Sequence, residues 1–432
     1  MREHPAFAHL EAALAKATSP AAAHAMLRVD ADDARLALMH HATQHQRPTP
    51  ALFGWTLSVK DLFDVAGQVT SAGSRTRADL APAEQDAPAV ARLKAAGAVV
   101  VGRTNMTEFA FSGVGVNPHF GTPANPADTT TPRIPGGSSS GAAVSVGLGI
   151  ADIGLGSDTG GSLRIPAALC GLVGFKSSAG LVPLTGAYPL STSLDTTGAI
   201  TQTVDQAIAV HQVLSGQSVA HWAKPLNHLR LGICSSCMQD GLDDTVQIAW
   251  QRSLNALRSA GVTLVNMDSH CLDEIAHMQS QHPLASIEAY GLHREWLATH
   301  HAQYDPRVLK RIALGQTATA ADYIVMQQRR ARLIASVEPM LQSVDAMIGP
   351  TVPITAPAIA DVAPGAQHDE AFFRVNAKLL RNPSVVNFLD GCAISVPCHK
   401  GDELPVGLML WQRRGQDGQV LGIAKQLVQA VI

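Results

Sequence analysis

Apolar and polar positions divide the chain into stretches of two periods. Residues 5 to about 47 place Ala, Leu, His and charged side chains at mixed three- and four-residue spacing, which predicts helix, and Ser19-Pro20 breaks the stretch in two. Trp55 to Val59 alternates Trp, Thr, Leu, Ser and Val, a strand pattern that stops at Lys60-Asp61. Asp86 as cap, Pro88 in the first turn and Gly97 past the end predict a helix from Asp86 to Ala96, followed by a strand from Ala98 to Val101. Gly102 to Gly113 then starts a loop or helix at that strand's C-terminal end, where open α/β sheets place ligands. Two Gly/Ser loops follow, Pro135 to Gly141 and Gly156 to Arg164, around a run of small apolar residues, Ala142 to Gly154, that reads as helix. Farther on, a helix from Asp243 to Ala260 precedes a strand from Val262 to Val265, helices cover 286 to 299 and 320 to 341, and a last helix covers about Gln419 to Val431. No internal repeat or low-complexity tract is visible.

Composition narrows the classes of function. The 432 residues allow two or three domains or one large α/β domain, and no stretch looks like a linker. The 32 basic and 35 acidic residues are spread evenly, with no basic stripe for nucleic acid and no acidic tail, so the expected partner is a small molecule. Only 4% of residues are aromatic, which argues against base stacking. Met1 to Pro5 carries no apolar segment, and Asp152 breaks the longest small-apolar run. Neither signal peptide nor membrane span is predicted, and a cytoplasmic location is expected. The close cysteine pair Cys234 and Cys237 has no second pair at zinc-ribbon spacing, and the 18 histidines show no ligand spacing, so no metal is expected.

Candidate chemistry concentrates in the Gly/Ser loops. A serine following Thr159-Gly160-Gly161 sits where successive backbone N–H groups can converge on a developing oxyanion, which favours Ser162 as nucleophile. Gly137-Ser138-Ser139-Ser140-Gly141 also fits Gly-x-Ser-x-Gly, the nucleophile elbow that would make Ser139 the attacking residue. The run is all serine, however, and Thr130 to Pro135 before it is loop-like rather than an apolar strand. Lys60 at the end of an apolar strand is either a rim lysine reaching water or a desolvated base whose pKa burial has lowered. Asn105 and Glu108 are read as structural hydrogen-bonding groups ahead of catalytic ones.

Taken together, Val59-Lys60-Asp61, Thr104 to Phe109, Pro135 to Gly141, Gly156 to Ser162 with Arg164, and Ser193-Leu194-Asp195 resemble the amidase signature family. The resemblance is dense from about residue 23 to 210. It returns at Asp345 to Pro353 and at Asn387 to Gln412, where Ile394 to Pro397 and Leu404 to Leu408 fit the family's closing strands. It implies an α/β fold with a large mixed sheet between helices on both faces, in one domain over residues 1–432: a helical arm to 50, a signature core over 51–210, a variable and mostly helical pocket-shaping part over 211–385, and closing strands with a helix over 386–432. The implied catalytic set is Lys60, Ser138 and Ser162, with a cis peptide at Gly137-Ser138. Neutral Lys60 would take a proton from Ser138, which takes one from Ser162 as it attacks an amide carbonyl; water would then release the acyl group. The resemblance also implies oxyanion donors at Thr159, Gly160, Gly161 and Ser162, a loop-holding pair at Asp158 and Arg164, a supporting Ser139 beside Lys60, and an acyl pocket along Ala110, Phe111 and Ser112. No cofactor is implied. Relatives suggest a homodimer, and the family's alternative role is the amidase component of a tRNA-dependent amidotransferase, for which this chain looks short. Two departures, Lys176-Ser177-Ser178 in place of the family's frequent Lys-Pro-Thr and Ser140 in place of Gly, remove no catalytic atom but leave substrate preference open.

Overall fold

Short strands, buried except at the two edges of the array, alternate with helices, and their backbones pair into a single sheet. The computed structural model describes residues 4–43, 49–219, 224–234 and 237–431. The strands are β1 (Met26–Val29), β2 (Thr56–Lys60), β3 (Val99–Thr104), β4 (Ile153–Asp158), β5 (Val173–Lys176), β6 (Thr196–Thr201), β7 (Arg230–Cys234), β8 (Thr263–Met267), β9 (Ala346–Pro350), β10 (Cys392–Pro397) and β11 (Gly407–Gln412). They form one 11-stranded sheet in the order β1-β3-β2-β4-β6-β5-β10-β11-β9-β7-β8. The sheet is mixed: β2 runs parallel to β3 and β4, β7 runs parallel to β8 and β9, and β4 through β6, β5, β10 and β11 to β9 is a run of antiparallel pairs.

Alternation along β2 sorts its side chains between the two faces. Leu57 and Val59 join a core with Val90 and Leu93 of helix Pro88–Ala95 and with Val210 and Leu214 of helix Val204–Ser215. Ser58 points the other way, its hydroxyl 2.8 Å from that of Ser145 on helix Ser140–Gly147, and Lys60 shares that face. Small residues let this helix lie close: a Cβ on Gly154 of β4 would sit 2.9 Å from the Ala142 carbonyl oxygen.

Several expectations hold closely. The helix after Asp243 spans Asp244–Ser259, with the Asp243 carboxylate accepting the Val246 N–H at 2.8 Å. Helices Leu284–His300, Ala320–Gln342 and Asp417–Val431 match their predicted spans within a few residues.

Others are corrected. The N-terminal stretch read as two helices contains β1 between helices Pro5–Ala17 and Ala31–Thr43, since β3 offers an edge that four residues can pair with; positions 44–47 lie outside the described residues. Asp86 is not the cap of its helix. Ala87 holds that place, while the Asp86 carboxylate accepts the Ala66 N–H at 2.9 Å and pairs with Lys94 at 2.6 Å. The run Ala142 to Gly154 is helix only to Gly147. The chain turns at Gly149, in a left-handed conformation, and enters β4, a boundary that a fully apolar run does not mark by period. The last strand starts at Gly407 instead of Leu404. The side chain of Cys237 lies outside the described residues. No helix among the described residues is long and apolar enough to cross a membrane.

Candidate active site

Lys60 ends β2 with no exposed surface. Its Nζ donates to the hydroxyls of Ser138 at 2.7 Å, Ser139 at 2.9 Å and Ser157 at 3.0 Å, and burial brings its pKa down to about 7 against the opposing pull of Asp195 and Asp158. A lysine at that value is in large part a neutral amine at neutral pH, able to accept a proton from a hydroxyl it touches. The rim-lysine reading does not fit a side chain this deeply enclosed. Ser157, part of the second Gly/Ser motif but given no role from sequence, also belongs to the site. It sits on β4, the strand beside β2, so the pairing that seats Lys60 also brings Ser157 to it.

Ser138 follows a cis peptide at Gly137-Ser138. Gly137 is required for close approach, because a Cβ there would lie 2.8 Å from the backbone of Gly115 and 2.9 Å from the Thr107 hydroxyl. The Ser138 carbonyl accepts the Thr107 N–H at 3.1 Å, and the Ser162 carbonyl accepts the Ser139 N–H at 3.3 Å, so the two Gly/Ser loops are tied directly. Among the described residues no hydroxyl-to-hydroxyl bond joins Ser138 to Ser162.

Ser162 lines a cavity of about 640 Å³ together with Thr159 and Gly160, a size suited to a small molecule. Ser139 does not line it, has no exposed surface, and follows a loop instead of a strand, so the elbow alternative lacks its geometry. The Gly161 N–H is already donated to the Asp158 carboxylate at 2.8 Å, whereas the amides of Thr159, Gly160 and Ser162 make no hydrogen bond among the described residues. Three of the four expected oxyanion donors are therefore unoccupied.

The loop carrying them is fixed from below. Arg164 grips the Asp158 carboxylate with two N–H groups, at 2.9 and 3.0 Å, and both side chains are fully buried. Burial alone would raise the Asp158 pKa, but the guanidinium, Lys176 and the Asn387 amide outweigh it and hold the carboxylate ionised. Asn387, 223 residues beyond Arg164, completes the clasp by accepting from Arg164 at 2.6 Å and donating to Asp158 at 2.9 Å. From above, the Thr159 hydroxyl donates to Asp195 at 2.5 Å. The other Asp195 oxygen accepts the Leu190 and Ser191 amides, and burial pushes this carboxyl up to about 6. Asp158 and Arg164 thus hold the loop together, while Asn387 and the contact of Asp195 with Thr159 emerge only in three dimensions.

Ala110, Phe111 and Ser112 line the same cavity. Phe109 and Ala110 both have positive φ, +49° and +59°, an uncommon conformation for residues with a Cβ. Glu108 anchors the turn: its carboxylate accepts from the Ser74 hydroxyl at 2.7 Å and the Asp305 N–H at 2.7 Å, and lies 2.9 Å from His119. The Asn105 amide donates to the carbonyls of His24 and Gly121, so both polar residues make structural hydrogen bonds. Among the described residues no group of three or more His, Cys, Asp or Glu could hold a metal ion.

Comparison with known proteins agrees with this geometry. The sequence model for the amidase family matches residues 8–421. The chain is 34% identical over 379 residues to 2-amino-5-chloromuconic acid deaminase of Comamonas testosteroni, covering 86% of this chain and 80% of that protein. It is 32% identical to a glutamyl-tRNA(Gln) amidotransferase subunit of a Synechococcus strain, covering 98% and 93%. A crystal structure of an amidase superposes with a TM-score of 0.88 at 34% identity, covering 100% of this chain and 97% of that one. A buried lysine bonded to serine hydroxyls, two Gly/Ser loops tied to each other beside the cavity that Ser162 lines, and a match that runs nearly end to end lead to one assignment: the chain belongs to the amidase signature family of serine hydrolases.

Proposed function

We propose that the protein is an amidohydrolase that cleaves a carbon–nitrogen amide bond of a small molecule through an acyl-Ser162 intermediate. The observation that carries this is the enclosed Lys60, near pKa 7 and bonded to Ser138, beside a cavity that presents Ser162 and three unoccupied backbone amides. Lys60 takes the Ser138 proton, Ser138 takes that of Ser162, and Ser162 Oγ attacks the amide carbon. The amides of Thr159, Gly160 and Ser162 receive the oxyanion, each such donor contributing about 2.7–4 kcal/mol in comparable sites. The relay then runs backward to protonate the leaving amine or ammonia, and water hydrolyses the acyl ester by the same path.

The second reading is the amidase component of a tRNA-dependent amidotransferase, which passes ammonia to a partner. The chain covers 93% of the Synechococcus protein, so shortness is no argument against it. Ammonia release by the purified chain alone, over a panel of small amides with Ser162→Ala as blank, separates the two. Release without a partner is the expected result, and release only when a partner complex is added would favour the amidotransferase.

A further inference from the structure

Two buried carboxylates stand behind the oxyanion loop, and neither forms an ion pair among the described residues. Asp195 accepts the Thr159 hydroxyl with one oxygen and the Leu190 and Ser191 amides, at 2.9 and 3.1 Å, with the other. Glu288 projects from helix Leu284–His300 and is also buried. Its partners are neutral donors: the hydroxyl of Ser191, the N–H of Ser193 at 3.0 Å, the hydroxyl of Ser193, and the hydroxyl of Tyr323 at 2.9 Å.

Ser191 joins the two carboxylates, giving its N–H to Asp195 and its hydroxyl to Glu288. Its carbonyl accepts the Leu194 and Asp195 amides at 3.2 and 2.9 Å, so residues 191 to 195 form one tight turn held from both sides. Helix Ala320–Gln342 adds a further layer. The Gln327 amide donates to the Ser193 hydroxyl at 2.7 Å and to the Tyr323 hydroxyl at 3.0 Å, which leaves both hydroxyls aimed at Glu288. Enclosing a carboxylate is costly unless donors to its charged form compensate. Charge-assisted bonds are short and directional, so a carboxylate that collects these donors fixes the turn that carries them.

Thr159 is where that rigidity acts. Its N–H is among the unoccupied amides beside Ser162, and its hydroxyl is tethered to Asp195. Leu190 and Leu194 of the same segment line the cavity with it. We propose that Glu288 is a positioning residue for catalysis: through the turn from Ser191 to Asp195 it holds Asp195 against Thr159 and keeps the Thr159 amide aimed at the oxyanion. This rests on the amidase reading for the oxyanion. Glu288, Tyr323 and Gln327 lie between the stretches that carry the family's motifs, so residues outside the motifs set the geometry of residues within them.

The test is a double-mutant cycle on the full-length chain, with the small amide from which it releases ammonia fastest. Glu288→Ala is expected to lower kcat about tenfold or more and to change KM less than about threefold, because what is lost is an interaction of the transition state. Glu288→Gln keeps an acceptor oxygen and should lose less. Thr159→Val keeps the backbone N–H and removes the tether, and in that background Glu288→Ala should cost no more than about twofold further. A glutamate that served folding alone would reduce the active concentration by the same factor in both backgrounds, and the effects would multiply. Should Glu288→Ala fail to fold, Glu288→Gln and Tyr323→Phe run the same cycle with the buried space still filled. Multiplying effects, a loss carried by KM, or an unchanged kcat overturns the positioning role and leaves the amidase standing. A wild type that releases ammonia from no amide overturns the amidase reading, and this role with it.

Discussion

At the scale of residues, the decisive quantity is the proton on Lys60. Its three partners are hydroxyls that can both give and accept, so the ammonium can donate to all three, while the neutral amine gives up one of those bonds to receive a proton. With the folded pKa near 7, the reactive neutral form grows as pH rises, so kcat/KM for an amide should climb to a plateau with a midpoint near 7. Removing the Ser157 hydroxyl takes away an acceptor that serves the ammonium more strongly than the neutral amine, so Ser157→Ala should move that midpoint down by about one pH unit. A midpoint near an ordinary lysine's, or an upward shift in Ser157→Ala, would mean that the titrating base lies elsewhere. The same shift bears on stability. Between pH 7 and the unfolded lysine's value the unfolded chain binds the extra proton, so this group's contribution rises with pH there and is least favourable below 7. Lys60, Ser138 and Ser162 were legible in the sequence because each sits in a loop or strand end whose residue types are unusual for structure alone. The contact of Ser157 with Lys60 was not, since a serine within the second Gly/Ser motif carries no mark of its neighbour across the sheet.

At the scale of elements, the two Gly/Ser loops are held by close backbone approach. Gly141, in the first turn of helix Ser140–Gly147, donates its N–H to the Asn105 carbonyl at 2.9 Å. A Cβ there would meet Asn105 N at 2.6 Å and Asn105 O at 2.8 Å, with the Ala25 carbonyl closer still. These are backbone atoms that cannot rotate aside, so Gly141→Ala should lower unfolding stability by about 1–3 kcal/mol, read as a lower urea midpoint at unchanged slope. A midpoint at the wild-type value would show that the helix is not seated on β1 and β3 this tightly. Periodic elements were the most legible: the helices beginning at Asp244 and Ala320 carry their cap residues in the sequence, Asp243 and Thr319. β1 and β4 were not, because four residues beside a helix, or six inside an apolar run, acquire strand form from the partner they pair with.

At the scale of the whole molecule, chain order and sheet order differ. β5 and β6, at the end of the signature core, are continued in the sheet by β10 and β11 from the C-terminal stretch, and the intervening 211–385 adds β9, β7 and β8 beyond them. That middle stretch is therefore a wing of the sheet as well as a source of pocket helices. A chain ended at residue 385 would leave β5 unpaired on one side and remove Asn387 from the Asp158 and Arg164 clasp. It should show no cooperative thermal unfolding by circular dichroism, and a sharp transition would mean that the signature core stands alone. The sequence by itself determined the family and the chemistry, since these lie in side-chain identities within short contiguous motifs, and it determined the long periodic helices, whose signals are local. Only the tertiary structure decided which groups meet: Ser157 with Lys60, Asn387 with Asp158, and the Gly161 amide with the Asp158 carboxylate. The physical reason is that burial, desolvation and hydrogen-bond occupancy belong to the space around an atom, and residues hundreds of positions apart fill that space.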